Sequence, residues 1–294
     1  MANQPSPIRS GQIPKELLTV VSGPADSEIA KRMKLVRRKI AILSGKGGVG
    51  KSTVAVNLAA ALAWRGYQVG LLDADIHGPD VPKMLGVEGA RIVGSKAGLI
   101  PVTGPLNIKV ISMQFLLQTA DTPVIWRGPL KMRVISEFFS NVVWGNLDYL
   151  IIDLPPGTGD ESLTIMQVLS DLDGVVIVTT PQAVALFDAR KAAQMCKQMR
   201  VPVLGVVENM SGFACPKCGT VTDIFGKGGG RNAAKELELF FLGELPFDPR
   251  VMALADEGKP FIVAVPDSPV AKAFQEVVEH LLKRLSTSEE RPKT

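Results

Sequence analysis

A glycine-rich loop close to the N-terminal side of this 294-residue chain is the feature that most restricts its fold. Residues 45–52 match the pattern G-x-x-x-x-G-K-[ST], which binds the phosphates of a nucleotide. An apolar run over residues 39–43 predicts a buried parallel strand before the loop, and a helix-like pattern follows over residues 53–64. The motif therefore lies between a strand and a helix, as its mechanism requires.

The residue types in the loop predict how a triphosphate binds. Glycines let backbone N–H groups approach the phosphate oxygens, and the N-terminus of the following helix adds its positive dipole. We expect Lys51 to reach the β- and γ-phosphates, Ser52 to hold Mg²⁺ and Thr53 to lie near the α-phosphate. The nucleotide-binding residues predicted in the loop are Gly45, Lys46, Gly47, Gly48, Val49, Gly50, Lys51, Ser52 and Thr53.

Lys46 is a second lysine inside the loop, and an ordinary phosphate-binding loop does not need it. A lysine this early in the loop is badly placed to fold onto its own γ-phosphate, but it can cross to the phosphate of a neighbouring subunit. We therefore interpret Lys46, together with Lys51, as a catalytic residue of a dimer. A solvated lysine is the alternative interpretation of Lys46.

Acidic residues follow two apolar runs, over residues 68–72 and 148–152, that predict buried strands. Ligands of a parallel α/β sheet gather at the carboxyl ends of its strands, so these carboxylates should face the nucleotide. We expect Asp75 to orient the attacking water and Asp73 to support the metal shell or the loop. Asp153 should bind Mg²⁺ through water. Solvated aspartates in a turn are the alternative for the first pair.

Three further segments predict contacts to the nucleotide. Gly157 follows Asp153 closely, and its N–H is placed to sense the γ-phosphate in a loop that orders and releases with hydrolysis. Asn209 comes after a predicted strand, where its amide can read an adenine edge. The backbone around Pro246 and Asp248 follows the last predicted strand and should also favour adenine.

Composition and length give a globular, cytoplasmic protein as the expectation. The chain is 46% hydrophobic and 21% charged, which is typical of a folded domain with a sizeable core. No apolar run reaches the ~18–20 residues of a membrane helix, and the N-terminus lacks a signal-peptide pattern. A net charge of +4 is too small to indicate nucleic-acid binding. We therefore expect neither a membrane span nor a nucleic-acid partner.

The order of the patterns predicts an α/β fold of the P-loop NTPase type, with a mostly parallel, twisted sheet and helices on both faces. Residues 1–25 contain several prolines and glycines and predict a flexible N-terminal arm. Residues 26–285 form one ATPase domain in this interpretation, with a metal-binding loop at 210–220. Residues 286–294 are predicted to be a polar tail.

Two predicted helices allow more than one interpretation. Residues 26–38 carry several lysines and arginines, a pattern that permits contact with DNA or acidic lipid but is more often a solvated face. Residues 267–285 are amphipathic and either attach to a membrane or pack on the sheet. We favour the solvated face for the first helix and packing for the second.

Cys215 and Cys218 form a C-x-x-C pair that can hold one metal centre between its thiolates. Glycines flank the pair, which favours a metal-binding knuckle over a redox pair at the start of a helix. The chain has two histidines and one other cysteine, Cys196, which we interpret as a buried thiol. Two ligands are half a site, and a dimer partner can supply the other half on a two-fold axis. Four thiolates suit either zinc or an iron–sulfur cluster.

With these motifs in place, the chain resembles the Mrp/ApbC family of ATP-dependent iron–sulfur cluster carriers, within the MinD/ParA-like superfamily that has a deviant P-loop. The matches cover residues 40 to about 270 and include GKGGVGKST, DADIHGP, WRGP, VENMSGF and CPKCG. The resemblance implies a homodimer in which Cys215 and Cys218 of both subunits hold a bridging 4Fe-4S cluster, which passes to apo-proteins. Asp80 departs from the family pattern, where serine is expected.

The sequence therefore predicts an ATPase that uses ATP and Mg²⁺ and carries a 4Fe-4S cluster to apo iron–sulfur proteins as a homodimer. A MinD/ParA-like positioning ATPase is the rival from another class, but positioning does not need the cysteine pair. A third interpretation keeps the fold and places a structural zinc ion between the subunits. Thiolate geometry alone does not separate zinc from the cluster.

Overall fold

The structure, a computed structural model, describes residues 25–76, 78–116, 128–214, 218 and 220–289. In these residues the strands are β1 (Val36–Ser44), β2 (Val69–Asp73), β3 (Val93–Ser95), β4 (Gly98–Ile100), β5 (Val102–Thr103), β6 (Lys109–Ser112), β7 (Leu147–Asp153), β8 (Gly174–Thr179), β9 (Val203–Glu208), β10 (Phe213–Ala214), β11 (Val221–Thr222) and β12 (Phe241–Glu244). The helices are α1 (Ala25–Met33), α2 (Lys51–Trp64), α3 (Val81–Met84), α4 (Gly128–Ser140), α5 (Asp160–Val168), α6 (Ala183–Gln198), α7 (Gly229–Glu236), α8 (Pro249–Asp256), α9 (Phe261–Ala264) and α10 (Pro269–Glu289).

The main sheet has eight strands in the order β12-β9-β8-β1-β7-β2-β6-β5. Each pair of neighbours is parallel except β5 and β6, which are antiparallel. Strand β1 lies inside the sheet, between β7 and β8. The predicted α/β fold with a mostly parallel sheet is confirmed.

Helices cover both faces of this sheet, because successive side chains of a strand point to opposite faces. In β1, Ile40 and Ile42 join a core cluster that also contains apolar residues of α2, α9 and α10. Ala41 and Leu43 join a second cluster with residues of α1, α4, α5 and α6. These two cores hold the carboxyl ends of the parallel strands together at one edge of the sheet, where the loops after β1, β2, β7, β9 and β12 emerge.

The predicted basic helix over residues 26–38 is wrong at its C-terminal end. Helix α1 stops at Met33, and Val36 begins β1. Two arginines of the supposed basic face are therefore in a strand, where the Arg38 guanidinium pairs with Asp173 at 2.7 Å. The segment is extended because its backbone pairs with β7 from Val36 onwards, a tertiary constraint that overrides local helix propensity.

Helix α10 packs on the sheet, as expected for its amphipathic pattern. Val270, Phe274, Val277, Val278 and Leu281 are buried in the first core cluster. Among the described residues, no helix combines the length and apolar character needed to cross a membrane.

The predicted ends of the chain fit the structure less well. Helix α10 continues to Glu289, past the predicted helix end at residue 285, so the first part of the predicted tail at 286–294 is helical. The hydroxyl groups of Ser286 and Thr287 donate to the carbonyl of Lys283, about one turn earlier, as serine and threonine often do within a helix. The predicted arm at 1–25 lies outside the described residues, apart from Ala25, which begins α1.

Candidate functional site

The glycine-rich loop connects β1 to α2, as the sequence predicts. Gly48 and Gly50 adopt positive φ values of 78° and 85°, a conformation that other residues rarely adopt. A Cβ atom on Gly50 would also collide with the Asn209 side chain. Gly50 is the N-cap of α2, and no side chain in the described part of the chain caps this helix. The N-terminus of α2 is therefore open to an anion.

Lys51 and Asp153 form a buried ion pair beneath the loop. The Lys51 Nζ atom lies 2.6 Å from Asp153 Oδ1 and 3.3 Å from Ser52 Oγ. Lys51 is 6% exposed and Asp153 is fully buried. The site thus brings together the predicted phosphate-binding lysine and both predicted magnesium ligands.

The second oxygen of Asp153 indicates how a cation fits this site. Asp153 Oδ2 is buried and has no hydrogen-bond partner among the described residues. Burial raises the pKa of Asp153, and the Lys51 ammonium opposes that shift. A divalent cation or its bound water, held between this oxygen and the Ser52 hydroxyl, would satisfy the orphaned atom. The residues present therefore fit Mg²⁺.

Asp73 and Asp75 lie beside this pair, because β2 is the neighbour of β7 and Asp73 is in register with Asp153. Asp73 is fully buried and accepts hydrogen bonds from the Ser112 hydroxyl at 3.0 Å and the Asp75 N–H at 3.2 Å. Burial raises the pKa of Asp73 well above its usual range, and the nearby Asp153 raises it further. Asp73 therefore supports the loop after β2, one of the two roles expected for it.

Asp75 occupies a more open position than Asp73. Its side chain is half-buried and accepts a hydrogen bond from the Gly78 N–H at 3.2 Å. The carboxyl of Asp80, the residue that departs from the family pattern, is close enough for Asp75 to contribute to a raised pKa, with burial as the larger cause. Asp75 has the access to solvent that a residue orienting water needs.

Lys46 and Gly157 both form backbone contacts with Ser44, the last residue of β1. The Ser44 hydroxyl donates to the Lys46 carbonyl at 2.9 Å, and the Gly157 N–H donates to the Ser44 carbonyl at 2.8 Å. The Gly157 N–H is therefore engaged, and contact with a γ-phosphate requires this bond to open. Lys46 is half-buried in the loop.

A pocket opens beside the loop and collects the residues predicted to bind the base. Asn209, Pro246 and Asp248, the predicted base-binding residues, line it together with Gly50 and Thr53 of the loop. Its surface is mostly apolar, which suits the faces of a planar base. The pocket continues directly from the phosphate-binding loop, as a single nucleotide requires.

The side chains of Asn209 and Asp248 already have partners within the chain. The Asn209 amide donates to the Val49 carbonyl at 3.0 Å, and its oxygen accepts from the Met210 N–H at 2.9 Å. Asn209 therefore braces the loop and keeps one amide hydrogen for a base. The Asp248 carboxylate caps α8 and pairs with Arg250, which lowers the pKa of Asp248. Only the backbone of Asp248 is then left to meet adenine.

Sequence reasoning missed the apolar walls of this pocket. The additional lining residues include Met210, Leu245, Phe247, Val251, Phe261 and Phe274. They come from the loop after β9, the loop after β12 and three helices, so no single stretch of sequence groups them. The one available signal was the position of Phe247 between two residues already predicted to bind the base.

Strands β10 and β11 flank the cysteine segment and pair antiparallel, and we call these two strands with Cys218 the cysteine hairpin. Cys215 lies outside the described residues, whereas Cys218 is described and exposed, with its Sγ 3.3 Å from the Thr220 hydroxyl. Among the described residues, no group of three or more histidine, cysteine or acidic side chains is arranged for a metal ion. Cys196 is buried in α6, which confirms its interpretation as a buried thiol, and burial raises its pKa to about 12.

The open helix N-terminus, the buried Lys51–Asp153 pair and the parallel sheet together define a P-loop NTPase. A family model described as "NUBPL iron-transfer P-loop NTPase" matches residues 35–282. The chain therefore belongs to this family, within the ParA group. The resemblance to ATP-dependent iron–sulfur cluster carriers is confirmed at this level.

Relatives and solved structures agree with the family assignment. An iron-sulfur cluster carrier protein of Methanocaldococcus jannaschii is 50% identical over 265 residues, covering 90% of this chain and 91% of the relative. One from Pyrococcus horikoshii is 51% identical, with 89% and 91% covered. The solved nucleotide-binding protein of Archaeoglobus fulgidus in complex with ADP is 42% identical, covers 85% and 96%, and has a TM-score of 0.73. The cell division ATPase MinD of Pyrococcus furiosus is 26% identical, covers 84% and 99%, and has a TM-score of 0.59.

Proposed function

We propose that this protein is an ATP-hydrolysing carrier of iron–sulfur clusters, which holds a bridging 4Fe-4S cluster between two subunits and transfers it to apo-proteins. One observation carries this proposal: a cysteine hairpin with an exposed Cys218 rests against the wall of a nucleotide pocket. The relatives at 44–51% identity are iron-sulfur cluster carrier proteins, which supports the same role here. The cytoplasm is the proposed location.

ATP and Mg²⁺ are the proposed ligands of the P-loop site. Lys51 would exchange its contact with Asp153 for the β- and γ-phosphates, since a triphosphate offers it more negative charge. Ser52 and Asp153 would then hold Mg²⁺, which supplies positive charge to the phosphate oxygens during hydrolysis. The released, buried Asp153 carboxylate gives a physical reason for nucleotide and metal to bind together.

Asp75 and Lys46 are the proposed catalytic residues that complete hydrolysis. Asp75 is half-buried at the carboxyl end of β2 and can orient a water molecule towards the γ-phosphate. Lys46 is a half-buried residue of the loop, and a second subunit that covers the loop would meet it. The Gly157 N–H would leave the Ser44 carbonyl when a γ-phosphate is present, so that the loop after β7 reports the nucleotide state.

A homodimer is proposed because apolar side chains beside the P-loop are exposed to solvent in the single chain. Val184 and Phe187, at the start of α6, are 67% and 58% exposed. Helix α6 lies against the loop, since a Cβ atom on Gly45 would collide with the Asp188 backbone. A second subunit that covers these side chains would also bring its own Lys46 towards this nucleotide.

Direct chemical analysis distinguishes a bound iron–sulfur cluster from a structural zinc ion. The protein should be purified without oxygen, and its absorption spectrum, iron, acid-labile sulfide and zinc content should be measured. About four iron and four sulfide per dimer, lost on transfer to an apo-ferredoxin-like acceptor, is the expected result for one shared 4Fe-4S cluster. Tightly bound zinc without iron would reject the carrier function and leave the ATPase assignment in place.

A further inference from the structure

Glu208, the last residue of β9, has a buried side chain that the proposed chemistry does not use. Its carboxylate is fully buried and accepts a hydrogen bond from the Ser211 hydroxyl at 2.6 Å. It also accepts from the Gly228 N–H at 2.8 Å and from the Gly230 N–H. Ser211 precedes the cysteine hairpin and the two glycines follow it. One carboxylate therefore fastens both ends of the segment that carries the cysteine pair.

The glycines on the far side make this contact possible. Gly228 has a φ of 78° and is the N-cap of α7, so the first N–H groups of that helix point towards the carboxylate. A Cβ atom on Gly230 would lie 3.0 Å from the Glu208 side chain, tighter than ordinary packing. The positive end of the helix dipole and charge-assisted hydrogen bonds offset the cost of burying the carboxylate.

The fastened segment rests on a wall of the nucleotide pocket. The Ser211 N–H donates to the Leu245 carbonyl and the Phe247 N–H donates to the Gly212 carbonyl, each at 2.8 Å. The ring of Phe247 packs edge to face against Phe213 of the hairpin, with centroids 5.8 Å apart. Phe247 also lines the base pocket. A base that contacts Phe247 in this pocket would therefore contact a residue that also packs against the cysteine hairpin.

A second connection to the nucleotide comes from the neighbour of Glu208 in the chain. Asn209 donates to the Val49 carbonyl inside the P-loop. Consecutive side chains at the end of β9 thus reach in two directions, Glu208 to the cysteine segment and Asn209 to the phosphate-binding loop. Any shift of the P-loop on nucleotide binding would reach the end of β9 through the Asn209 contact.

We infer that Glu208 is a positioning residue, which fixes the base of the cysteine segment and links its geometry to the occupancy of the nucleotide pocket. This inference rests on the proposed function for the meaning of the cysteine pair, but not for the coupling itself. Loss of the carboxylate should loosen the segment between residues 209 and 230 and uncouple it from nucleotide, while the distant parts of the sheet stay as they are.

Hydrogen–deuterium exchange on the full-length, cluster-free protein tests the coupling, with MgADP as the probe. In the wild type, MgADP should slow amide exchange across residues 209–230 as well as in the P-loop. Glu208→Gln should speed exchange in 209–230 by about tenfold. The glutamine NH₂ group cannot accept hydrogen bonds, so at least one backbone N–H that now donates to the carboxylate would lose its partner. The MgADP effect on that segment should be lost while its effect on the P-loop remains. Ser211→Ala should change exchange in the same direction by less.

Asp173→Asn is the matched control. Asp173 is also a strongly buried carboxylate that accepts a backbone N–H, from Lys39 at 2.8 Å, but it lies at the opposite end of the strands. The control should leave exchange and the MgADP effect in 209–230 unchanged. Equal acceleration in the control, or normal coupling in Glu208→Gln, would reject the role of Glu208. If Glu208→Gln does not fold, normal coupling in Ser211→Ala rejects it instead.

A separate measurement keeps this inference distinct from the proposed function. The wild-type protein, Glu208→Gln and Asp173→Asn should be reconstituted with iron and sulfide. The visible circular dichroism of each should then be followed after a chelator is added. A wild type that takes no cluster would reject the carrier function, while the exchange data would still decide the coupling. Faster cluster loss from Glu208→Gln than from the Asp173→Asn control supports the positioning role for metal binding as well.

Discussion

The P-loop site and the cysteine hairpin differ in how complete each is within one chain. Around the P-loop, Lys51 and Asp153 are buried and paired, and the open N-terminus of α2 is already formed. At the hairpin, Cys218 is exposed, and the described residues offer no complete ligand set for a metal. In the proposed function, one chain binds a nucleotide by itself, whereas the cluster takes ligands from two chains.

This difference has a physical origin in what each ligand demands. A triphosphate needs many weak, directed donors, which a rigid loop on a packed sheet provides. A cluster that must later be given away needs few protein ligands and access from outside. The two regions meet at Phe247 and at the Glu208–Asn209 pair, which connect the nucleotide pocket to the segment that carries the cysteines.

The largest expected effect is at the cysteine pair. Cys215→Ser or Cys218→Ser should each remove the bound cluster completely, because one change per chain removes two of the four shared ligands. ATP binding should persist, since the cysteines make none of the phosphate or Mg²⁺ contacts proposed for the P-loop. Iron and sulfide content after reconstitution, together with ATP titration, measures both effects. Cys196→Ser is the control, and a full cluster in either hairpin variant would contradict the shared site.

The two lysines of the P-loop should separate binding from turnover. Lys51→Ala should abolish hydrolysis and greatly weaken ATP binding, and it also leaves buried Asp153 without its counter-charge. Lys46→Ala should spare binding but lower kcat, by up to about 10³-fold if the lysine acts on the partner's phosphate as other trans-acting cations do. Steady-state ATPase rates and ATP affinity should be compared for both variants. Equal losses of affinity would reject a role for Lys46 across the dimer.

A smaller effect is expected from the choice of base. Donors and acceptors set for adenine are left unpaired by guanine, at about 1–3 kcal/mol per buried group, which corresponds to roughly 5- to 150-fold in affinity. Competition between MgATP and MgGTP for the wild-type protein measures the preference. Asn209→Ala should reduce it, and similar affinities for both nucleotides in the wild type would count against an adenine-specific pocket.

The smallest effect concerns the stability of the nucleotide site without ligand. The pKa of Asp73 is raised in the folded protein, so the folded state binds its proton more tightly than the unfolded state does. The stabilisation of the folded state by protonated Asp73 is therefore complete below about pH 4, and it is lost as pH rises through the raised pKa. At neutral pH, Asp73→Asn should raise the Tm, by about 2–4 °C for each kcal/mol gained in a chain of this size.

Thermal unfolding of the nucleotide-free protein between acidic and neutral pH tests this expectation. The difference in Tm between wild type and Asp73→Asn should grow as pH rises. Asp173→Asn should lower the Tm instead, because Asp173 pairs with Arg38. A lower Tm for Asp73→Asn at neutral pH would mean that its hydrogen bonds outweigh the repulsion from Asp153.

Several features followed from the sequence because each depends on neighbours in the chain. The loop at 45–52 needs a strand before it and a helix after it, and all three are local patterns. The buried strands ending near Asp73 and Asp153 were visible as apolar runs, and parallel topology then placed both acids at one edge. The burial of Cys196 followed from its place on the inner face of a helix.

Tertiary structure decided the rest, because long-range contacts supply the free energy that local patterns lack. Pairing with β7 extends β1 back to Val36 and cancels the predicted basic helix at Arg37 and Arg38. The apolar walls of the base pocket come from elements far apart in sequence, which only folding brings together. Glu208 looked like an ordinary strand end, and its role became visible only when Ser211 and Gly228 were found on the same buried carboxylate.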